Sequence, residues 1–321
     1  MRKDDPRAAC SDADFVRLFE QLGPAKLADK FGISKRAVYS RRETLEGRYC
    51  RQITAPPERS NKATRCNIQH SARIHFDVLN GTVLVGSDAH IWPGPLTTAM
   101  RAFIKFAGEL KPRVLCLNGD VLDFPQVSRH PHSWEEWPSV ADEIEAARKV
   151  LVKIEDAVPR NCKLSWCLGN HDSRLETRIA TVAPELAKLK GVHLKDHFGD
   201  RWQPCWSSWI NGEVVIKHRY KGGVHATHNN AVQSGKHIVT GHLHSAKVTP
   251  WTDYNGTRYG VDTGCLADPN AEAFAYTEDN PKNWVSAFAV LTFVNGQLLP
   301  PELVTVWGKD EVAFRGEIIK V

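Results

Sequence analysis

No stretch of this 321-residue chain approaches the roughly 20 consecutive apolar residues that a membrane-spanning helix needs. Its first residues are charged, with Arg2, Lys3, Asp4 and Asp5 where a secretory signal would carry apolar ones. Both absences argue against membrane insertion and secretion, and the cytoplasm is the expected location. The eight cysteines stand at positions 10, 50, 66, 116, 162, 167, 205 and 265, never at Cys-x-x-Cys spacing. That excludes the paired-thiolate signature of structural zinc sites and thioredoxin-type redox centres. Cys116, Cys162 and Cys167 lie in or beside apolar runs and are expected to be reduced and structural. Internal repeats and low-complexity tracts are also missing, which excludes solenoid architectures.

What remains is an ordinary globular composition, 42% hydrophobic and 25% charged, with chain enough for about two domains. Its charge is unevenly placed. Residues 1–75 carry 16 Lys plus Arg against 9 Asp plus Glu, an excess of 7 that exceeds the +5 of the whole chain. The basic end points to an anionic partner.

That end is expected to form three short amphipathic helices over residues 12–46. The first, residues 14–22, places Phe15, Leu18 and Phe19 on one face. Gly23-Pro24 breaks it, and the second carries Leu27, Ala28 and Phe31. Gly32-Ile33-Ser34 then turns into a third helix, residues 35–45, with Val38 buried and Ser34 as its N-cap. The run from Leu27 to Tyr39 resembles the helix-turn-helix family, in which small Ala28 permits close packing and Gly32 a positive-φ turn. The resemblance makes the third helix a DNA-recognition helix, with Lys35, Arg36, Tyr39 and Arg41 as expected contacts. Glu43 and Glu46 confine that contact to its first turns. A helical protein-interaction module with a basic solvated face is the alternative. The expected boundaries are 1–50 for this module, 51–71 for a linker containing Pro56-Pro57, and 72–321 for a second domain.

The second domain holds the chemistry. Asp88 and His90 follow the apolar run 83–85, Gly119-Asp120-Val121-Leu122-Asp123 follows 114–117, and Gly169-Asn170-His171-Asp172 follows 164–168. His218 follows 214–216, and Gly241-His242-Leu243-His244 follows Ile238-Val239. Each block sits where a buried strand should end, and in α/β sheets the carboxyl ends of strands open on a shared crevice. Carboxylate, amide and imidazole donors without thiolate suit a hydrolytic metal site.

In this order the five blocks resemble the calcineurin-like metallophosphoesterase superfamily, over about residues 80–270. The resemblance implies an α/β two-sheet sandwich flanked by helices and a pair of divalent ions, Mn expected, with Fe, Zn or Ni as alternatives. Asp88, His90 and His244 would hold one ion, Asn170, His218 and His242 the other, and Asp120 would bridge them. It further implies a metal-activated hydroxide as nucleophile. His171 would protonate the leaving oxygen or stabilise phosphoryl charge. Asp123 is expected to act with it by orienting an imidazole; a turn or N-cap role is the alternative. Arg174 is a candidate for substrate phosphate, or a solvated helix charge. The family has Gly soon after the lone His, whereas this chain reads His218-Arg219-Tyr220-Lys221-Gly222-Gly223, so His225 and His228 are competing candidates.

Strand and helix patterns alternate, with helices expected over 96–110, 140–157 and from 173, and antiparallel strands over 288–294, 298–306 and 312–319. A hairpin is expected at Asn80-Gly81. Residues 124–138, rich in His and Trp, form a candidate substrate loop whose tryptophans either stack on bases or, the commoner case, pack the loop onto the core, and Trp202, Trp206 and Trp209 are expected in the core. The leading functional expectation is a metal-dependent phosphodiesterase acting on nucleic acid, DNA above all, delivered by the N-terminal module. A phosphomonoesterase or cyclic-nucleotide phosphodiesterase, or a DNA-binding regulator with an inactive phosphoesterase domain, are the alternatives. No membrane partner is expected.

Overall fold

A computed structural model describes residues 10–51, 53–55, 70–129, 136–271, 274, 277–280 and 282–321. The expected linker, apart from residues 51, 53–55 and 70–71, lies outside the described residues, as does the middle of the candidate substrate loop, residues 130–135. The chain divides into two compact units, Met1–Arg65 and Cys66–Val321. Among the described residues, no helix is long and apolar enough to cross a membrane.

The first unit contains α1 (Asp12–Phe31) and α2 (Lys35–Tyr49). Gly23, at φ 76° and ψ 169°, interrupts α1, so it is two helices in one run. Ser11 caps the start, and Gly32 ends the run in the left-handed region, where a side chain would be strained. Ser34 caps α2 by accepting the Ala37 N–H. Phe15, Phe19, Leu27, Val38, Leu45 and Ile53 form this unit's own core.

The second unit has fifteen strands among its described residues. They are β1 (Ile74–Phe76), β2 (Gly81–Gly86), β3 (Val114–Leu117), β4 (Lys163–Cys167), β5 (Trp202–Cys205), β6 (Ser208–Ile210), β7 (Val214–Ile216) and β8 (His237–Thr240). Then follow β9 (Lys247–Asp253), β10 (Gly256–Asp262), β11 (Ala287–Val294), β12 (Gln297–Leu298), β13 (Glu302–Gly308), β14 (Glu311–Phe314) and β15 (Glu317–Lys320). One sheet runs β1-β6-β7-β8-β10-β9, and the other β15-β14-β13-β11-β2-β3-β4-β5 with β12 beside β11. The helices are α3 (Thr98–Leu110), α4 (Val140–Ala157), α5 (Arg174–Val182) and α6 (Ala226–Ser234).

Alternation along the strands explains the layers. On β2, Val83 and Val85 join Cys116, Cys167, Ile216, Val239, Val261 and Leu291 in a core between the sheets. Leu84 points the other way, with Leu115, Leu117 and Trp166, onto Phe103 and Phe106 of α3 and Leu151 and Ile154 of α4. The result is the two-sheet α/β sandwich flanked by helices. The strand-helix alternation read alone predicts helices on both faces of one sheet; instead the inner faces of two sheets cover each other.

Four local expectations change. Asn80-Gly81 does not close a hairpin, because β1 pairs in parallel with β6 of one sheet while β2 belongs to the other. The strand expected over 298–306 is split by Pro300 and Pro301, which carry no N–H for a ladder. The one over 312–319 is a hairpin turned at Arg315-Gly316, both at positive φ. Of the three tryptophans, Trp202 is buried, whereas Trp206 is exposed and Trp209 is half-buried under the Arg73 guanidinium.

The fold tolerates no side chain at Gly260 on β10. A Cβ there would lie 1.9 Å from the Thr227 carbonyl oxygen of α6. Gly260→Ala is expected to cost about 2–3 kcal/mol, read as a lower thermal midpoint; an unchanged midpoint would contradict the α6–β10 packing.

Candidate metal centre

The ends of β2, β3, β4, β7 and β8 carry the five blocks to one place. Asp88, His90 and His244 present ligand atoms within 4.8 Å of one another, as do Asp120, His218 and His242. The two groups adjoin, since His218 Nε2 lies 3.1 Å from Asp120 Oδ2 and 4.0 Å from Asp88 Oδ1. These clusters are compatible with a dinuclear metal site.

The backbone at the site is tightly specified. Asp88, His90, Asp120, His242 and His244 all have positive φ, a cost that surrounding structure must offset. Strand ends are laced together: Asp88 N donates to Gly119 O, His90 N to Asp120 O, and Gly241 N to His218 O. The motif glycines are explained by space. A Cβ on Gly169 would stand 2.0 Å from Asp120 Oδ1, on Gly241 2.4 Å from Asp88 Oδ2, and on Gly119 2.4 Å from the His218 ring. Each glycine leaves room for a carboxylate or imidazole.

The donor atoms fit metal ligation on their own evidence. His90 Nε2, His218 Nε2 and Asn170 Oδ1 are buried polar atoms without a hydrogen-bond partner. His218 Nδ1 is 2.8 Å from the Asn118 carbonyl, to which it donates, and this orients the ring with Nε2 as the atom facing the clusters. His90 Nδ1 is 3.3 Å from Asp123 Oδ1, with the same consequence. Of the competing histidines, His225 immediately precedes α6 and His228 packs its ring on Trp251, and neither joins the clusters.

Asp123 gathers the flank. Its carboxylate meets His90 Nδ1, His171 Nδ1 and Arg174 Nη1, and its carbonyl accepts a second Arg174 bond at 2.7 Å. His90, Asp123 and His171 thus also lie within 4.8 Å, but this is a hydrogen-bonded chain, because Asp123 accepts from both imidazoles. His171 Nε2 stands 3.8 Å from Asp120 Oδ2 and 3.1 Å from Arg174 Nη2. Its backbone N–H donates to Asp120 Oδ1 at 2.8 Å.

Electrostatics follow from burial and crowding. Burial alone would raise Asp88 and Asp120, yet His244 and His218 hold Asp88, and chiefly His218 holds Asp120, below the usual carboxylate range. Burial would lower His218, but Asp120 and Asp88 override it and push it up to about 10. His242 is lowered by burial first and then by the His218 charge, with Arg219 adding to the effect.

Two carboxyls whose roles escape a reading of the sequence hold the frame. Asp172 accepts from Val121 N, Leu122 N, Gly169 N and Trp166 Nε1, tying the second block to the third; burial, and then Asp120, raises it. Glu143 of α4 accepts from Asp123 N at 2.5 Å and Phe124 N at 2.7 Å, and burial raises it to about 8. Its place in the first turn of a helix gives only a dipole signal in sequence. Phe274 and Trp284 wall the site, edge-on to His244.

In the helical unit, Lys35, Arg36 and Tyr39 are exposed on the first turns of α2. Arg41 is not brought to that surface. Its guanidinium is buried, bonded to Cys10 O and Asp12, and lies 4.6 Å from the Phe15 ring centre. Three residues after Val38 and four before Leu45, it lies on the packed face of α2 and is a structural cation.

No family model matches the chain. It is similar to the gene 54 proteins of Mycobacterium phages L5 and D29, at 26% identity over 246 residues and 27% over 252, covering 70% of this chain and 94% of each relative. Alignment with zinc-complexed Vps29 from Entamoeba histolytica covers 74% of this chain and 96% of that one, at 12% identity and a TM-score of 0.36. Vps29 from Chaetomium thermophilum aligns over 75% and 97%, at 10% and 0.39, and the E. coli phosphoesterase Yfce over 68% and 97%, at 14% and 0.31.

Two outcomes are expected. His218→Ala lowers the Mn bound per chain, read by elemental analysis, while His228→Ala leaves it unchanged; the reverse would reassign the ligand. Glu143 supplies the second. With a folded value near 8 against an ordinary 4.5, the folded state keeps a proton that the unfolded chain has lost in that window. Stability is full below 4.5 and declines as pH rises through 8. Glu143→Gln should therefore flatten the fall in thermal midpoint between pH 5 and 8; an identical pH profile would refute it.

Proposed function

We propose that this chain is a metal-dependent phosphodiesterase acting on nucleic acid, with DNA as the expected polymer. The observation that supports the reading is the pair of adjoining His/carboxylate clusters built around two buried carboxylates, Asp88 and Asp120. Asp88, His90 and His244 would hold one divalent ion, and Asn170, His218 and His242 the other, with Asp120 between them. When bound, such a pair neutralises charge on the entering and leaving oxygens of an in-line displacement and generates the nucleophile near neutral pH.

The remaining work belongs to the side chains. His171 is held by Asp123 at Nδ1, so its Nε2 faces Asp120 and is the atom placed to move a proton to or from the departing oxygen. Arg174, fixed on the Asp123 carbonyl, carries a planar cation beside His171 and is suited to a non-bridging phosphoryl oxygen. Asp123 positions both. The exposed cations Lys35 and Arg36 with Tyr39 would meet the phosphate backbone through the helical unit, raising the local concentration of DNA at the catalytic unit.

In Mn, the protein is expected to cleave bis-p-nitrophenyl phosphate and labelled DNA in preference to p-nitrophenyl phosphate. His171→Ala should lower kcat by roughly 10²–10⁴ with little change in KM. Deleting residues 1–55 should raise KM on DNA and spare the small diester. Turnover of the monoester alone would replace this reading with a phosphatase.

A further inference from the structure

The segment around His218 carries groups that the metal clusters do not use. It reads Lys217-His218-Arg219-Tyr220-Lys221, three cations in five positions, followed by Gly222-Gly223. Arg219, Tyr220 and Lys221 are exposed and Lys217 is half-buried. The ammonium groups of Lys217 and Lys221 lie 5.3 and 5.4 Å from the centre of the Tyr220 ring, within reach of its quadrupole. Two ammoniums gathered on one ring repel each other. Among the described residues none of the three cations is paired with a carboxylate.

The segment is anchored at several points. Asn118 Nδ2 donates to the Lys217 carbonyl at 3.2 Å, and Lys221 N donates to Oδ1 of Asn230, buried in α6, at 3.0 Å. Lys247 Nζ donates to the Val224 carbonyl at 3.2 Å and brings a fourth cation to the same rim. A fixed, crowded set of cations, none of which meets a carboxylate among the described residues, is complementary to a polyanion. It begins one residue from His218, whose Nε2 is 3.1 Å from Asp120. A single phosphate at the metal clusters would leave these four cations without a phosphate; a chain of phosphates supplies one for each.

Resting on the phosphodiesterase reading above, we propose that Lys217, Arg219, Tyr220, Lys221 and Lys247 form a backbone clamp that holds the phosphates of a polynucleotide next to the scissile one. The contacts are to phosphate and carry no base information, so the clamp selects polymer over mononucleotide without selecting sequence.

The test is equilibrium binding of a fluorescein-labelled 20-nucleotide single strand to the full chain in Mn. A His171→Ala background keeps the strand intact, and Lys217→Gln, Lys221→Gln and Lys247→Gln are compared together against that background. Each lost phosphate contact reduces the slope of log affinity against log salt by about 0.7 for a single strand. A reduction of roughly 2 units is therefore expected, with bis-p-nitrophenyl phosphate turnover by the triple variant on the unsubstituted background unchanged. An unchanged slope overturns the clamp, and so does a parallel loss of small-diester turnover, which would make the loop a support for the metal site. If the unsubstituted protein turns over no diester, the hydrolase reading fails, while the slope still decides the clamp.

Discussion

Two carboxylates from different strands, Asp88 and Asp120, are buried side by side, 0% and 1% exposed. Buried anions this close cannot be left uncompensated, and much of the surrounding structure answers that demand. His218 reaches both, His244 reaches Asp88, and the backbone N–H groups of His242 and His171 donate one to each. The protein dipoles and imidazoles converge on the two carboxylates, which fixes the orientation of the candidate ligand set.

The same demand explains the backbone. Five residues of the two clusters adopt left-handed conformations, and three motif glycines keep Cβ atoms out of the space that Asp88, Asp120 and His218 occupy. The strain is held by parallel strands fixed on both faces, by Asp172 bridging two loops, and by Glu143 bracing the turn at Asp123 and Phe124. Beside the metal clusters stand further cations, Arg174 against His171 and Lys217, Arg219 and Lys221 in the segment around His218.

Much of this was legible because strand-end motifs are local. A short apolar run followed by Gly and Asp or His gives both the strand and the residues at its end, so the order of blocks located the clusters at the ends of β2, β3, β4, β7 and β8. Partners from distant segments gave no such signal. Glu143 looks like a helix-dipole residue until α4 is packed on the sheet, and Asn118 holding His218 depends on two strands in different sheets. Arg41 shares the sequence neighbourhood of Lys35 and Arg36, yet its helical phase turns it onto Phe15 and Asp12. The assignment of β1 and β2 to separate sheets was hidden by Asn80-Gly81, whose local chemistry is that of a hairpin.

The central claim is that the two clusters hold two cations. Anomalous scattering from crystals grown in Mn, collected at the manganese edge, tests it most directly. The account predicts two peaks roughly 3.5–4 Å apart, one among Asp88, His90 and His244 and the other among Asn170, His218 and His242, with Asp120 between. A single peak, or one seated between His90, Asp123 and His171, would contradict it.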